Sequence, residues 1–421
     1  ILNKTIYGEQ SSEYAIALRM QGVSFGLLGK HKEALDCHIL SLGIFRVTID
    51  ENHPDTAESL NNVGCEYYAL GDHQKALEYM LKALGIRERV LGENHPDTAE
   101  SLINIGLEYR TLGDHQKALE YIHKALGIIV KVLGENHHKS AHSLHSVGCE
   151  YSDLGDHQKA LEYDLKALDI RVKVFGENHP DTATSLYSVG CEYSYLGDHQ
   201  KALEYSHKAL DIRIKVFGEN HPQTATSLSN VGYEYGSLGD HQKALEYELK
   251  AQGIRERVFG ENHPDTAKSL NNVGHEYSEL GDHQKALEYK LKALDIREKV
   301  FGENHPDTAK SLNNVGYEYG EFGDHQKALE YKLKALDIRE KVFGENHPDT
   351  ANSLNNVGYE YSKLGNHQKA LEYKLKALDI RKKVLGETHP DTAISLNNVG
   401  FVYGEIGEYG KALEYLLKAL K

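Results

Sequence analysis

The sequence has no tryptophan, two methionines, four cysteines and eight prolines in 421 residues. No apolar run approaches the roughly 18 residues needed to cross a bilayer, so no membrane span is expected. A basic segment leading into an apolar one is also lacking, so no secretory signal is expected. Basic residues are in deficit, 48 against 63 acidic, for a formal net charge of −15. A global nucleic-acid binder carries the opposite balance, because it must neutralise phosphates. Of the thiols, Cys65, Cys149 and Cys191 share one register, with spacings of 84 and 42 residues, while Cys37 stands apart. Equivalent positions of adjacent stacked helices lie about 10 Å apart, beyond disulfide reach. Four unpaired thiols predict a reducing, intracellular setting, the cytoplasm. The first residue is Ile rather than Met, so a fragment or a processed form is expected. Hydrophobic content of 40% and charged content of 26% are those of an ordinary soluble chain.

What the chain does have is one segment, copied. His-Pro-Asp-Thr-Ala recurs at 53, 95, 179, 263, 305, 347 and 389, with a Gln223 variant at 221. A broken copy, His137-His138-Lys139-Ser140-Ala141, and a weaker first one, Ser11-Ser12-Glu13-Tyr14-Ala15, hold the same register. All eight prolines lie in this motif. A fixed period of 42 residues marks a stacked repeat architecture. Ten repeats begin near 11, 53, 95, 137, 179, 221, 263, 305, 347 and 389, and residues 1–10 read as the tail of a preceding one.

Each repeat predicts two helices. In 53–94, Pro54 suits the first helical position and leaves His53 extended. Asp55 then favours the positive end of the helix dipole. Ala57, Leu60, Val63, Gly64, Tyr67 and Leu70 make an apolar stripe, which Gly71 ends before Asp72 caps the next helix. The second helix carries two stripes, Ala76, Tyr79, Ala83, Ile86 and Val90 beside Leu77, Leu81, Leu84 and Leu91. A helix apolar on two sides is buried between neighbours. At about 1.5 Å per residue, a helix of some 18–19 residues is roughly 28 Å long, with Gly92 closing it. Ten of the 38 glycines stand in the Gly64 column. A mid-helix glycine costs about 1 kcal/mol against alanine, so its recurrence predicts a helix–helix approach too close for a Cβ. The Tyr67 and Tyr79 columns hold nine tyrosines each and read as core packing with a polar tip.

These positions, Leu60, Val63, Gly64, Tyr67, Gly71, Ala76, Leu77, Ala83 and Leu84, resemble the tetratricopeptide repeat. The 42-residue period and the run Ala293–Ala309, ending Gly-Glu-Asn-His-Pro-Asp-Thr-Ala, are similar to the kinesin-light-chain and nephrocystin-like class. The resemblance implies an all-α fold, a right-handed superhelical solenoid of ten 42-residue helix-turn-helix repeats forming one array over 1–421. One departure stands out. Where the family places an aromatic four residues after the Ala76 position, this chain has Met80, Ile122, Asp164, Ser206, Glu248, Lys290, Lys332, Lys374 and Leu416. The packing load is therefore expected to move to the Tyr79 and Leu81 columns, with the second helix slightly rotated.

The resemblance also implies a concave face lined by the first helices. The column of Asn62 reads Asn62, Asn104, Ser146, Ser188, Asn230, Asn272, Asn314, Asn356 and Asn398. An amide offers the donor and the acceptor that an extended peptide backbone presents. Related repeats hold a peptide main chain with such a ladder; the alternative is a bond to a neighbouring helix or to water. Three residues on, Tyr233, His275, Tyr317 and Tyr359 offer aromatic surface beside the asparagines. Glu58 and Glu100 give way to Lys268 and Lys310 in the second half, which would suit an acidic ligand segment or simply be solvated charge. The family's carboxylate-gripping subclass needs Lys where this chain has Asn61 or Asn313, and Asn where it has Tyr317.

Of the 25 histidines, nine stand in the His53 column and nine in the His73 column, spaced 20 apart within a repeat. No Cys-x-x-Cys pair accompanies them, and His-x-x-x-His occurs only in the broken copy, at His138 and His142, so turn packing rather than metal binding is expected. No nucleophile–base pair or phosphate loop stands apart from the repeat pattern, and no enzyme activity or cofactor is expected. The sequence thus predicts a non-catalytic scaffold that takes a protein or peptide ligand, with neither nucleic acid nor membrane as partner. The alternative is head-to-tail self-association through open solenoid ends, where Leu416, Leu417 and Leu420 are uncapped.

Overall fold

The computed structural model describes residue 8 and residues 10–420. The proposed tail of a preceding repeat therefore lies almost wholly outside the described residues. Among these the chain holds twenty helices and no strand, in ten consecutive pairs. It divides into two compact units, 1–216 and 217–421, the boundary falling in the last turn of a helix. In the first unit the pairs are Ser12–Leu27 with His31–Thr48, Pro54–Ala69 with His73–Val90, Pro96–Thr111 with His115–Leu133, His138–Asp153 with His157–Phe175, and Pro180–Tyr195 with His199–Phe217. In the second they are Pro222–Ser237 with His241–Phe259, Pro264–Glu279 with His283–Phe301, Pro306–Glu321 with His325–Phe343, Pro348–Lys363 with His367–Leu385, and Pro390–Ile406 with Tyr409–Ala419.

The helix ends follow from the residues that mark them. His53 is extended, at φ −95° and ψ 146°, and its Nδ1 accepts the Asp55 N–H at 3.2 Å, so this histidine column caps the first helix. In five repeats, from His179 to His347, the ring also stacks on the phenylalanine that ends the helix before it, as His305 does on Phe301 at 4.5 Å. Gly71 takes a left-handed φ of +80°, and the Asp72 carboxylate accepts the Lys75 N–H at 3.3 Å to start the second helix.

Within each pair, the Gly64 column is where the helices meet. A Cβ on Gly64 would stand 2.8 Å from Met80 Cγ and 3.1 Å from the Ala76 carbonyl. At Gly106 it would stand 2.5 Å from Ile122 Cγ1. Gly127, also mid-helix, has nothing within 4 Å of its would-be Cβ. The two glycines therefore respond oppositely to alanine. Gly106→Ala is expected to destabilise by about 1–2 kcal/mol, because overpacking outweighs the gain in helix propensity. Gly127→Ala is expected to stabilise by up to about 1 kcal/mol. Urea midpoints of the two variants check this, and equal shifts in one direction would refute the close approach.

The same contact shows what stands in the place of the missing aromatic. From Met80 to Lys374 the column facing the glycines is buried whatever stands in it: Met80 is 3% exposed and Lys290 5%, while Leu416 in the last repeat is 36% and Leu81 38% exposed. The missing aromatic is replaced by a variable side chain lying against a glycine, while Leu291, Leu333 and Leu375 of the Leu81 column and Tyr331, Tyr373 and Tyr415 of the Tyr79 column pack, partly buried, against the core. The tyrosines are half-buried rather than core. Tyr67 and Tyr79 stack at 5.5 Å, with Lys75 Nζ 5.1 Å above the Tyr67 centroid, so the ring edges stay wet under a cation.

Successive repeats join through an apolar cluster and two polar staples. Leu42 from one repeat packs with Ala57, Leu60, Val63, Ala83 and Ile86 of the next. Arg87 Nη1 donates to Ser101 Oγ at 2.8 Å and to the Asp97 carbonyl at 3.0 Å. His73 Nδ1 meets Glu108 Oε1 at 2.9 Å, so this histidine column bonds the following repeat besides packing its own turn. Both staples recur, as Arg297 with Ser311 and His325 with Glu360.

Candidate functional site

Within each unit the first helices place the asparagine column and its neighbours on one face, the ladder face below. In the second unit the column is bonded from repeat to repeat. Asn314 Nδ2 donates to Asn271 Oδ1 at 2.7 Å, Asn356 to Asn313 at 2.9 Å, and Asn398 to Asn355 at 2.9 Å. Asn272 donates instead to Glu248 Oε1 at 3.1 Å, since the preceding repeat has Ser229 where an asparagine would stand. In the first unit Asn104 donates to Asn61 at 3.2 Å, and Asn62 and, in the second unit, Asn230 are likewise half-buried on this face. The neighbouring-helix bond thus accounts for one N–H of Asn104, Asn272, Asn314, Asn356 and Asn398. A primary amide has a second N–H and a carbonyl oxygen, and the ladder holds those groups in line.

Beside the ladder, Tyr233 is 61% exposed, Tyr317 47% and Tyr359 46%. His275 is exposed as well, its Nδ1 3.9 Å from Glu279. Lys268 and Lys310 stand exposed on the first turn of their helices. All thirteen residues singled out in the sequence therefore lie on first helices, with their polar or aromatic groups at least partly accessible.

Sequence reasoning missed what lies beneath them. Lys290 and Lys332, in the column facing the glycines, form buried ion pairs with Glu318 and Glu360 of the following repeat. Glu318 is fully buried and also accepts Ser278 Oγ at 3.2 Å. The same ammonium groups sit 5.5 and 5.6 Å from the centroids of Tyr317 and Tyr359. Glu248 occupies the lysine's place one repeat earlier, accepting from Ser229 at 2.9 Å. Burial pushes its carboxyl up to about 7, against the pull of Ser229, Arg255 and Asn272. The signal was present in the sequence, as a glutamate column from Glu66 to Glu360 two residues from the glycines, on a helix face otherwise apolar.

In the first unit the ladder face opens into a recess of about 440 Å³ lined by Cys65, Tyr68, Met80, Asn104, Leu107 and Arg110 among others. Close by, His115, Glu150 and Asp153 form the one three-group cluster of metal-ligand type among the described residues. Arg110 Nε already reaches Asp153 at 2.5 Å and Glu150 at 3.6 Å, so a guanidinium occupies the place a cation would take. Among the described residues, no helix is long and apolar enough to cross a membrane.

The family description "Tetratricopeptide repeat" matches nine overlapping segments, 13–89, 67–129, 109–171, 151–206, 193–256, 249–299, 277–341, 319–383 and 361–421. The chain belongs to the tetratricopeptide-repeat family. No curated protein matches it significantly. Among solved structures, this tetratricopeptide-repeat chain is similar to a candidate kinesin light chain of Podosopora anserina with nearly identical TPR-like repeats, at 24% identity and a TM-score of 0.45, covering 49% of this chain and 98% of that one. BtubC (BKLC) from P. vanneervenii is 22% identical with a TM-score of 0.45, covering 53% and 87%. A Rap protein complexed with Competence and Sporulation Factor is 17% identical with a TM-score of 0.54, covering 89% of this chain and 99% of that one. The last likeness supports the fold.

Proposed function

We propose that the ten repeats act as one non-catalytic interaction scaffold, binding an extended peptide or a helix of a protein partner on the ladder face. The observation that carries this reading is the row Asn314, Asn356 and Asn398, bonded into register beside the exposed Tyr317 and Tyr359. Amides held at a fixed spacing suit a peptide main chain, and half-exposed aromatic rings supply contact area at low entropic cost. The net charge of −15 favours a protein over a nucleic acid. Four free cysteines fit an intracellular setting.

The cleaner test uses the tyrosines, since the asparagines also join repeats. A random peptide library is selected on the chain, and the enriched peptides are titrated against a Tyr233, Tyr317, Tyr359→Ser variant shown folded by circular dichroism. The expected result is at least a tenfold loss of affinity, about 1.4 kcal/mol or more. Undiminished affinity would remove the ladder face from the reading. The second reading, end-to-end self-association, rests on Leu413, Leu416 and Leu417, all exposed on the helix Tyr409–Ala419. Mass that rises with concentration in light scattering would favour it.

A further inference from the structure

The fourth repeat departs from the others at two columns, and both departures meet a cysteine it shares with two other repeats. His145 stands where other repeats carry asparagine, serine, isoleucine, tyrosine or, in the first, arginine, and Asp164 where they carry residues such as Met80 or Lys290. His145 Nδ1 lies 2.7 Å from Asp164 Oδ1, and its Nε2 lies 3.6 Å from Cys149 Sγ, one helical turn on. Asp164 is 2% exposed, and Cys149 is partly accessible on the ladder face. Nucleophile, base and orienting carboxylate are thus in hydrogen-bonded series.

The two sister thiols of the register serve as controls. Cys65 receives an N–H from Asn61 at 3.8 Å, and Cys191 is hydrogen-bonded with Tyr187. Neither amide nor phenol can carry a positive charge. Burial, with Glu66 and Glu100 adding to it, pushes the Cys65 thiol up to about 11.

We propose that Cys149, His145 and Asp164 form a peroxide-reactive thiol site, a modification site independent of the peptide-binding reading. The thiolate attacks one oxygen of hydrogen peroxide, forming an S–O bond as the O–O bond breaks. The departing hydroxide takes the imidazolium proton of His145 and leaves as water. Sulfur is oxidised by two electrons to the sulfenic acid and the peroxide is reduced.

The electrostatics agree with the geometry. Burial opposes charge on His145, but its bonds to Asp164 and Cys149 outweigh that and push it up to about 9. The imidazole is therefore charged at neutral pH, which favours the adjacent thiolate. The other groups around the thiol are His142 and Glu150 on its own helix, Arg171 beside Asp164 on the second helix, and Arg110 from the preceding repeat. Arg110 is paired with Asp153, so the two cations face two further carboxylates and the charge beside the thiol is set by His145.

The test is done on the full chain, with alkylation by iodoacetamide and oxidation by hydrogen peroxide trapped with dimedone, each cysteine followed separately by peptide mass spectrometry. Cys149 is expected to react about tenfold faster than Cys65 and Cys191 at neutral pH. His145→Asn recreates the Asn61–Cys65 pairing already present in the fold, and Asp164→Ser the residue at 206. His145→Asn should bring Cys149 down to the rate and profile of Cys65, and Asp164→Ser should shift the profile upward. Equal rates for the three thiols, or an unchanged Cys149 profile in folded His145→Asn, would overturn the proposal.

Discussion

Glu318→Val is expected to destabilise the second unit by about 3–5 kcal/mol, and Lys290→Met in the same chain to restore most of it. The carboxylate of Glu318 is fully buried and is the ionic partner of Lys290, which is itself 5% exposed. Removing it leaves an ammonium in a dry interface between two repeats, along with Ser278 and His283, which also face it. A buried charge without its partner costs far more than the pair gains over an apolar substitute. The double variant uses side chains that the protein already tolerates in those columns, Met80 in one and Val402 in the other. The chain contains one half of this experiment. Lys374 faces a tenth repeat in which Val402 replaces the glutamate, and burial pushes its ammonium down with Glu405 the one carboxylate opposing. Repeat arrays gain stability from nearest-neighbour interfaces, so the loss should appear locally. Hydrogen exchange of the helices His283–Phe301 and Pro306–Glu321 reads it directly. A single variant as protected as the parent would show the pair to be energetically idle.

The fold was legible because each boundary is written in backbone chemistry and repeated. Proline after an extended histidine, glycine at left-handed φ and aspartate at the next N-cap need no tertiary context, and the structure has each in that role. The close approach at Gly64 was legible for a related reason: glycine there is costly unless something forbids a Cβ. What opposes that glycine was not legible. A lysine in a helix reads as solvent-facing, and Lys290, Lys332 and Lys374 broke the apolar period that would have marked them as buried. The partners of Lys290 and Lys332 stand 28 residues away in the next repeat, beyond any helical spacing. The asparagine ladder was half legible. Its column was visible, but the acceptor of Asn314 is Asn271, 43 residues earlier, and only stacked repeats bring the two together. The same limit hid His145 and Asp164, which sit 19 apart on different helices.

Glu248→Gln is expected to stabilise the protein above neutral pH and leave it nearly unchanged in acid. Glu248 is 4% exposed, and burial raises its carboxyl from an ordinary value near 4.5 to about 7, with Glu276 adding repulsion. A folded state that holds its proton more tightly than the unfolded chain gains stability where the proton is bound. That contribution is fully present below about 4.5, declines as pH rises through 7, and is lost above it. The difference corresponds to about 3 kcal/mol at 1.36 kcal/mol per unit. Glutamine imitates the protonated acid and can still accept from Asn272. The variant should therefore unfold at higher urea than the parent at pH 8.5 and at nearly the same urea at pH 4.5. The ladder face registers the same titration, because Asn272 donates to this carboxylate where its column mates donate to asparagine. Ionisation of Glu248 thus tightens one rung of the ladder while weakening the interface that holds it. A peptide bound at Asn272 would see that rung change near neutral pH, and parallel denaturation curves for parent and variant at both pH values would exclude the coupling.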